Sequence, residues 1–375
     1  MKHYNTVYVG MDTHKEKFSL CCYTFEDDRT AYEQTIAADY RLVLKYLDAM
    51  RRHYGEDAEF VCGYEAGCLG YTLYRDLTAH NVNCIILAPS TMPVAPGKKR
   101  IKTDKMDARN IAKCLANRTY SPVHVPTAED EEVKEFIRMR DDHKQALKRI
   151  KQQILAFCLR HGIRYTDGDN WTQKHLHWLR TLRLTGVYQE ILDEYLLTYD
   201  KLDEALTRLD KRIEELAQGE RYLEPVQKLR CFIGIETHTA LSLVSEISDF
   251  NRFPSAEKFA SFLGLVPGEH TSSDSRNTLS ITKAGNSHLR RLLTESAHSF
   301  GRGKIGYKSQ KLKKRQAVNS PEVIRYADKA NERLRRKFYK MKSGGKKYNV
   351  ASTAIARELA CFVWGMMTNH IGATA

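Results

Sequence analysis

The chain has 375 residues, 42% of them hydrophobic and 28% charged, with a formal net charge of +14. That length accommodates two or three domains and at least one full core. No run of eighteen apolar residues occurs, and MKHYNTVYVGMD enters a strand-like segment without a signal-peptide core, so no membrane partner is expected. Nine cysteines without a C-x-x-C pair favour reduced thiols in a cytoplasmic protein over a disulfide framework or a zinc site.

The first 120 residues read as α/β. TVYVGMD (6–12), KFSLCCYTF (17–25) and AYEQTIAA (31–38) are strand-like, and a helix follows over 39–53. EFVCGYE (59–65) is an apolar strand ending in an acid. A helix over 71–80 leads to NCIILAP (83–89), a continuous apolar run suited to a strand buried on both faces. Three strands, then helix–strand–helix–strand–helix, is the element order of an RNase-H-like fold. The proline-bearing stretch 89–102 ends in a basic cluster containing Lys98, Lys99 and Arg100, and DKMDARNIAKCLAN (104–117) is helical.

Residues 121–226 carry two long heptad patterns, Val133 to Phe157 and Tyr188 to Leu216. They predict either a helical hairpin within the chain or an intermolecular coiled coil. Arg140 and His143 fall at seam positions of the first. From 227 onward the chain reads as mostly helical. CFIGIETHTALSLVSEI has the hydrophobic–Gly–hydrophobic turn of a helix-hairpin-helix, and 271–280 reads as a polar, Ser-rich loop. Residues 302–347 hold 17 Lys/Arg against 3 Asp/Glu, so one segment carries the whole charge imbalance. With aromatics interleaved it suggests a polyanion-binding surface; a solvated basic tail is the plainer reading. VASTAIARELACFVWGMM (350–367) reads as a core helix.

Asp12 and Glu65 end apolar strands, and Asp104 and Asp107 share a helix face. Clustered carboxylates repel one another unless a cation neutralises them, and hard oxygen donors of this kind suit Mg²⁺. Taken singly, a helix cap for Asp104 and a surface charge for Asp107 are the plainer readings, and it is the four acids together that favour a metal site. Ser272 and Ser273 lie in the Ser-rich segment, where a hydroxyl near a bound phosphate becomes a candidate nucleophile. Arg276, Lys283, Arg290 and Arg291 are candidate phosphate contacts.

Taken together, YVGMDTHKEKF, the following YEA, KTDKMDARNIA, FIGIETHTA, FASFLGLVPGEHTSS and ITKAGNSHLRRLL closely resemble the DEDD transposases of bacterial insertion sequences. This is the IS-one-ten family, to which pilin-gene invertases are also similar. The resemblance covers roughly 1–117 and 227–300. It implies a RuvC-like domain (1–120), coiled-coil helices (121–226) and a transposase domain (227–375). It further implies Asp12, Glu65, Asp104 and Asp107 as a metal-binding tetrad and Ser272 as the nucleophile of a covalent serine–DNA intermediate. Ser273 stands where the family usually has glycine, and remains a possible nucleophile. The implied activity is recombination of donor and target DNA, guided by a noncoding bridge RNA, in a homodimer or homotetramer associated with the bacterial nucleoid. A metal-only RuvC-like junction nuclease and a basic RNA-binding scaffold are the competing classes.

Overall fold

The computed structural model describes residues 3–67, 69–93, 104–272 and 275–372, with the backbone alone over 269–272 and 275–278. The chain divides into two compact units, Met1–Val125 and Pro126–Ala375.

The first unit opens with an antiparallel meander of β1 (Thr6–Thr13), β2 (Lys17–Thr24) and β3 (Arg29–Ala37). Helix α1 (Tyr40–Tyr54) is started by the Asp39 carboxylate, which accepts from the Arg41 N–H. β4 (Glu59–Glu65), α2 (Thr72–Ala79), β5 (Asn83–Leu87) and α3 (Asp104–Asn117) complete the unit. The sheet order is β3-β2-β1-β4-β5, with β4 parallel to both β1 and β5. Strand alternation sends Val7, Val9, Met11, Phe60, Cys62 and Tyr64 into one core with Val43 and Leu47 of α1 and Leu77 of α2. The opposite face, with Val61, Ile85 and Leu87, packs on Ile111 and Leu115 of α3. Strands covered on both faces explain why their sequences run apolar without alternation.

The second unit begins with α4 (Ala128–Arg160), α5 (Gln173–Thr181) and α6 (Val187–Leu216). α4 and α6 run antiparallel: Arg140 pairs with Asp210, whereas Phe157 meets Tyr188 and Tyr195. Both heptad seams therefore close within the chain, burying Leu147, Ile150, Ile154, Leu192, Tyr199 and Leu206. α5 was not foreseen from the sequence, because Leu176, Trp178 and Leu179 are too few to mark a period. Leu176 and Leu179 nonetheless pack into the same core, and Trp171 stacks on Tyr199.

The other ends of the two long helices enter a larger core. Val133, Ile137, Ile213 and Ala217 pack there with residues of α7 (Glu220–Leu229), α8 (Thr237–Ile247) and α9 (Ala256–Phe262). Gly234, in the turn between α7 and α8, has φ +83°, and a Cβ there would lie 2.3 Å from the Ser296 carbonyl oxygen. Glycine is the one residue that meets both conditions.

The Ser-rich segment is a correction. It forms an antiparallel hairpin, β6 (Pro267–Ser272) and β7 (Ser275–Ile281), with Ser272 opposite Ser275. Its polar composition offers no apolar alternation to reveal a strand. α10 (Ser287–Ala297), α11 (Gln310–Gln316), α12 (Pro321–Ser343) and α13 (Tyr348–Met367) follow. α13 is long and apolar enough to cross a membrane by composition alone, yet Ile355, Leu359, Val363 and Met366 line the core as expected.

Candidate functional site

Two glycines set the geometry of the acidic site. Gly10 of β1 and Gly63 of β4 are register partners on adjacent parallel strands. A Cβ on Gly10 would lie 2.1 Å from the Ala108 carbonyl oxygen and 2.3 Å from the Ala112 nitrogen; one on Gly63 would meet Leu115 at 2.8 Å. Both therefore face α3: Gly10 admits its backbone and Gly63 the Leu115 side chain. Side chains two residues along a strand share a face. Asp12 and Glu65 each lie two past their glycine, so strand alternation puts both on the α3 side of the sheet. Asp104 and Asp107 occupy the first turn of α3, where the helix dipole favours negative charge.

Asp12 and Asp104 converge with a residue that the sequence reading passed over. His14, in the β1–β2 turn, places Nε2 3.1 Å from Asp12 Oδ2 and 3.6 Å from Asp104 Oδ1. One ligand atom from each of the three lies within 4.8 Å of the others. Lys17 puts its ammonium 2.7 Å from Asp104 Oδ2. Burial pushes the Asp12 carboxyl above its usual range, His14 opposes this, and the charges of Asp107 and Asp104 add to it. The Lys17 hydrogen bond holds Asp104 below its range. A carboxylate disfavoured by its acidic neighbours, next to a partner already held by a lysine, is a setting in which added positive charge is stabilising. The donor set fits a divalent cation. A short polar turn gave no periodic signal for His14; only its spacing two residues after Asp12 pointed to it.

In the second unit, Ser272 is the last residue of β6, and Arg276 lies in β7 opposite Thr271. Ser273, Lys98, Lys99 and Arg100 lie outside the described residues. Lys283 is exposed, in a left-handed conformation with φ +55°. Gly285 and Asn286 of the Lys-x-Gly-Asn segment are structural: a Cβ at 285 would lie 2.0 Å from the Phe262 carbonyl oxygen, and Asn286 caps α10. Arg290 donates to the Leu263 carbonyl at 2.9 Å, and Arg291 pairs with Asp141. The structure thus brings Arg291 and Asp141 together, whereas Arg290 serves the end of α9.

Asp141 is a centre that a heptad reading could not find, since Asp141-Asp142 on a long helix looks like solvated surface. Its side chain is 11% exposed and faces Arg140 (3.1 Å), His238 (3.0 Å), His288 (3.8 Å) and Arg291. Burial alone would raise its pKa, but His238, Arg140 and Arg291 outweigh that and hold it well below the carboxylate range. Cavities of about 440 and 650 Å³ border this cluster, the first lined also by Lys144, Lys148 and Lys151.

The basic segment forms α11 and α12. Its carboxylate partners include Glu358, which takes Arg333 and Lys337, and Asp328, which takes Lys308. Of its interleaved aromatics, Phe338 is buried and Tyr326 and Tyr339 are half-buried, which leaves Tyr307 and Tyr348 exposed.

Residues 9–161 match the family model of DEDD transposases of the IS110 type, described as Transposase, and residues 226–309 match the one described as Transposase IS116/IS110/IS902 family. The Sinorhizobium fredii protein y4qE, a provisionally named transposase, is 32% identical over 371 residues, 97% of this chain and 89% of that protein. The transposase for an insertion sequence element of Leptospira borgpetersenii is 33% identical over 91% of this chain and 98% of its own length. A third, from an insertion sequence element of Coxiella burnetii, is 23% identical over 78% and 77%. A DEDD domain implies a divalent metal, which the carboxylates of the first unit suit. The chain belongs to the IS116/IS110/IS902 family of transposases, enzymes that cut and rejoin DNA.

Proposed function

We propose that this transposase is a Mg²⁺-dependent site-specific recombinase that passes through a covalent serine–DNA intermediate. The single observation carrying the proposal is the convergence of Asp12, His14 and Asp104, one ligand atom from each lying within 4.8 Å of the others. The sheet order β3-β2-β1-β4-β5 supports an RNase-H/RuvC-like reading of this domain. Bound there, Mg²⁺ would supply Lewis-acid polarisation of a phosphoryl oxygen. Asp12, Glu65, Asp104 and Asp107 would hold it, while His14 and Lys17 orient Asp12 and Asp104 by hydrogen bonding.

Ser272 provides the nucleophile. Its oxygen forms a bond to phosphorus as the bond from phosphorus to the departing strand end breaks; the hydroxyl proton passes to solvent and the departing oxygen takes one up. The resulting phosphoserine ester conserves the energy for rejoining. Donor and target DNA are selected by pairing with a bridge RNA, so the protein grips backbone rather than base edges. The basic segment 302–347 and the candidates Lys98, Lys99, Arg100, Arg276 and Lys283 supply backbone contacts. The chain acts as a homodimer or homotetramer at the nucleoid, with the exposed faces of the α4–α6 hairpin as an assembly surface. The three sequence regions, 1–120, 121–226 and 227–375, act as metal-binding, assembly and serine-bearing parts.

The test incubates wild type, Ser272→Ala, Ser273→Ala and Asp12→Asn with donor plasmid, RNA and Mg²⁺, followed by denaturing gels. Wild type and Ser273→Ala should yield a protein–DNA adduct that Ser272→Ala lacks, and Asp12→Asn should neither cut nor couple. Robust strand cutting by Ser272→Ala without any protein–DNA adduct would leave a metal-only nuclease as the correct reading.

A further inference from the structure

We propose that a cavity at the start of the basic segment is a binding site for a single phosphate group. The cavity, of about 310 Å³, lies in the second unit among the turn before α8, the chain between α10 and α11, and α11 and α12. Glu236, Arg302, Tyr307, Lys311, Arg315 and Arg335 contribute to its lining, so four cations face one carboxylate.

Arg335 decides the argument. It is 5% exposed. Its Nη1 donates to the carbonyls of Lys304 at 2.7 Å and Tyr307 at 3.2 Å, while its Nε has no acceptor. No carboxylate among the described residues pairs with it. Burial accordingly draws its pKa below the ordinary guanidinium value. The buried carboxylates Asp130 and Asp141 of this unit, by contrast, are matched: Asp130 takes Arg221, and Asp141 takes Arg140 and Arg291.

Arg315 stands beside it with a side chain 9% exposed. It pairs with Glu236 at 2.5 Å, a carboxylate that Lys311 shares at 3.2 Å, and its own Nε is also without an acceptor. A buried guanidinium lacking a counter-ion is destabilising, and its planar fork of donors matches the oxygens of a phosphate. Arg302 and Tyr307, both exposed, line the cavity from the chain preceding α11. The volume is at the small end for ligand sites and suits a phosphate with its attached sugar. The phosphate can belong to a polynucleotide backbone or to a free or terminal phosphomonoester; the recognising chemistry is shared. The inference is independent of the carboxylate site.

Isothermal titration of the full chain with inorganic phosphate, at constant ionic strength against chloride, tests it. Wild type should bind one phosphate per chain, and Arg335→Gln should weaken it at least tenfold. Arg302→Ala combined with Lys311→Ala alters exposed residues, and should weaken it severalfold with an unchanged circular dichroism spectrum. Absence of saturable phosphate binding, or wild-type affinity in folded Arg335→Gln, overturns the proposal. Should Arg335→Gln fail to fold, unchanged affinity in the Arg302/Lys311 double variant overturns it instead. Competition separates the sources. Displacement by a short oligonucleotide without terminal phosphate assigns the site to backbone phosphodiesters, and displacement by a 5′-mononucleotide alone assigns it to a phosphomonoester.

Discussion

Gly10→Ala should damage the metal site without altering any charged residue. A methyl at this position would begin 2.1 Å from the Ala108 carbonyl oxygen and 2.3 Å from the Ala112 nitrogen, both backbone atoms of α3. No rotamer change relieves that. To restore even 3.0 Å, the helix must recede by about 0.9 Å, taking Asp104 and Asp107 away from Asp12. Overpacking of this kind costs about 1–3 kcal/mol, which lowers the midpoint of a unit this size by roughly 4–12 °C. Displacement of ligands by about 1 Å is also enough to weaken a metal site built from several elements. Calorimetry reads the first effect, and titration with Ca²⁺ or Mn²⁺ the second. Gly67→Ala is the control, because a Cβ there meets only Glu65 O at 3.8 Å. A Gly10→Ala protein with wild-type midpoint and metal affinity would refute the claim that glycine sets the depth of α3.

Asp12→Asn should stabilise the metal-free protein by about 0.5–2 kcal/mol, since it removes a charge disfavoured by burial and by Asp107 and Asp104. The same variant should lose the metal-dependent gain of wild type, about 2.7 kcal/mol at a hundredfold excess over Kd, as thermal scans with and without Mg²⁺ will show. Asp141→Asn should cost about 3–5 kcal/mol, because Arg140, His238 and Arg291 lose their shared buried partner. Asp141 has a depressed folded pKa, so its contribution is complete above the unfolded value, about 3.9, and is lost as pH falls through the folded one. Urea unfolding should therefore show a constant gap between the two proteins from neutrality to about pH 5, closing in stronger acid. Gly234→Ala combines a left-handed backbone with a 2.3 Å approach to Ser296 O and should cost about 2–4 kcal/mol in the same assay.

How far the site could be read from the sequence depended on which physical signal each part left there. Strands β1 and β4 are covered on both faces, so their apolar runs and terminal acids stood out, and two acids three apart at the start of a helix needed only helical geometry. His14 lies in the β1–β2 turn and Lys17 opens β2, so their positions are set by the hairpin rather than by period. The β6–β7 hairpin and α5 have too few apolar residues to announce themselves. Asp141 is hidden for the opposite reason: its partners come from α4, α8 and α10, and contact across some 150 positions of sequence leaves no local trace. One signal was present and carries more than its length suggests. Gly10-Met11-Asp12 and Gly63-Tyr64-Glu65 repeat the same Gly-x-acid spacing on two neighbouring strands. On β1 the glycine admits the backbone of α3, and Asp12 emerges two residues later beside Asp104 of that helix's first turn. Packing and chemistry are thus written in one tripeptide, and loss of Gly10 should mimic loss of Asp12 in metal affinity while acting in the opposite sense on the stability of the metal-free protein.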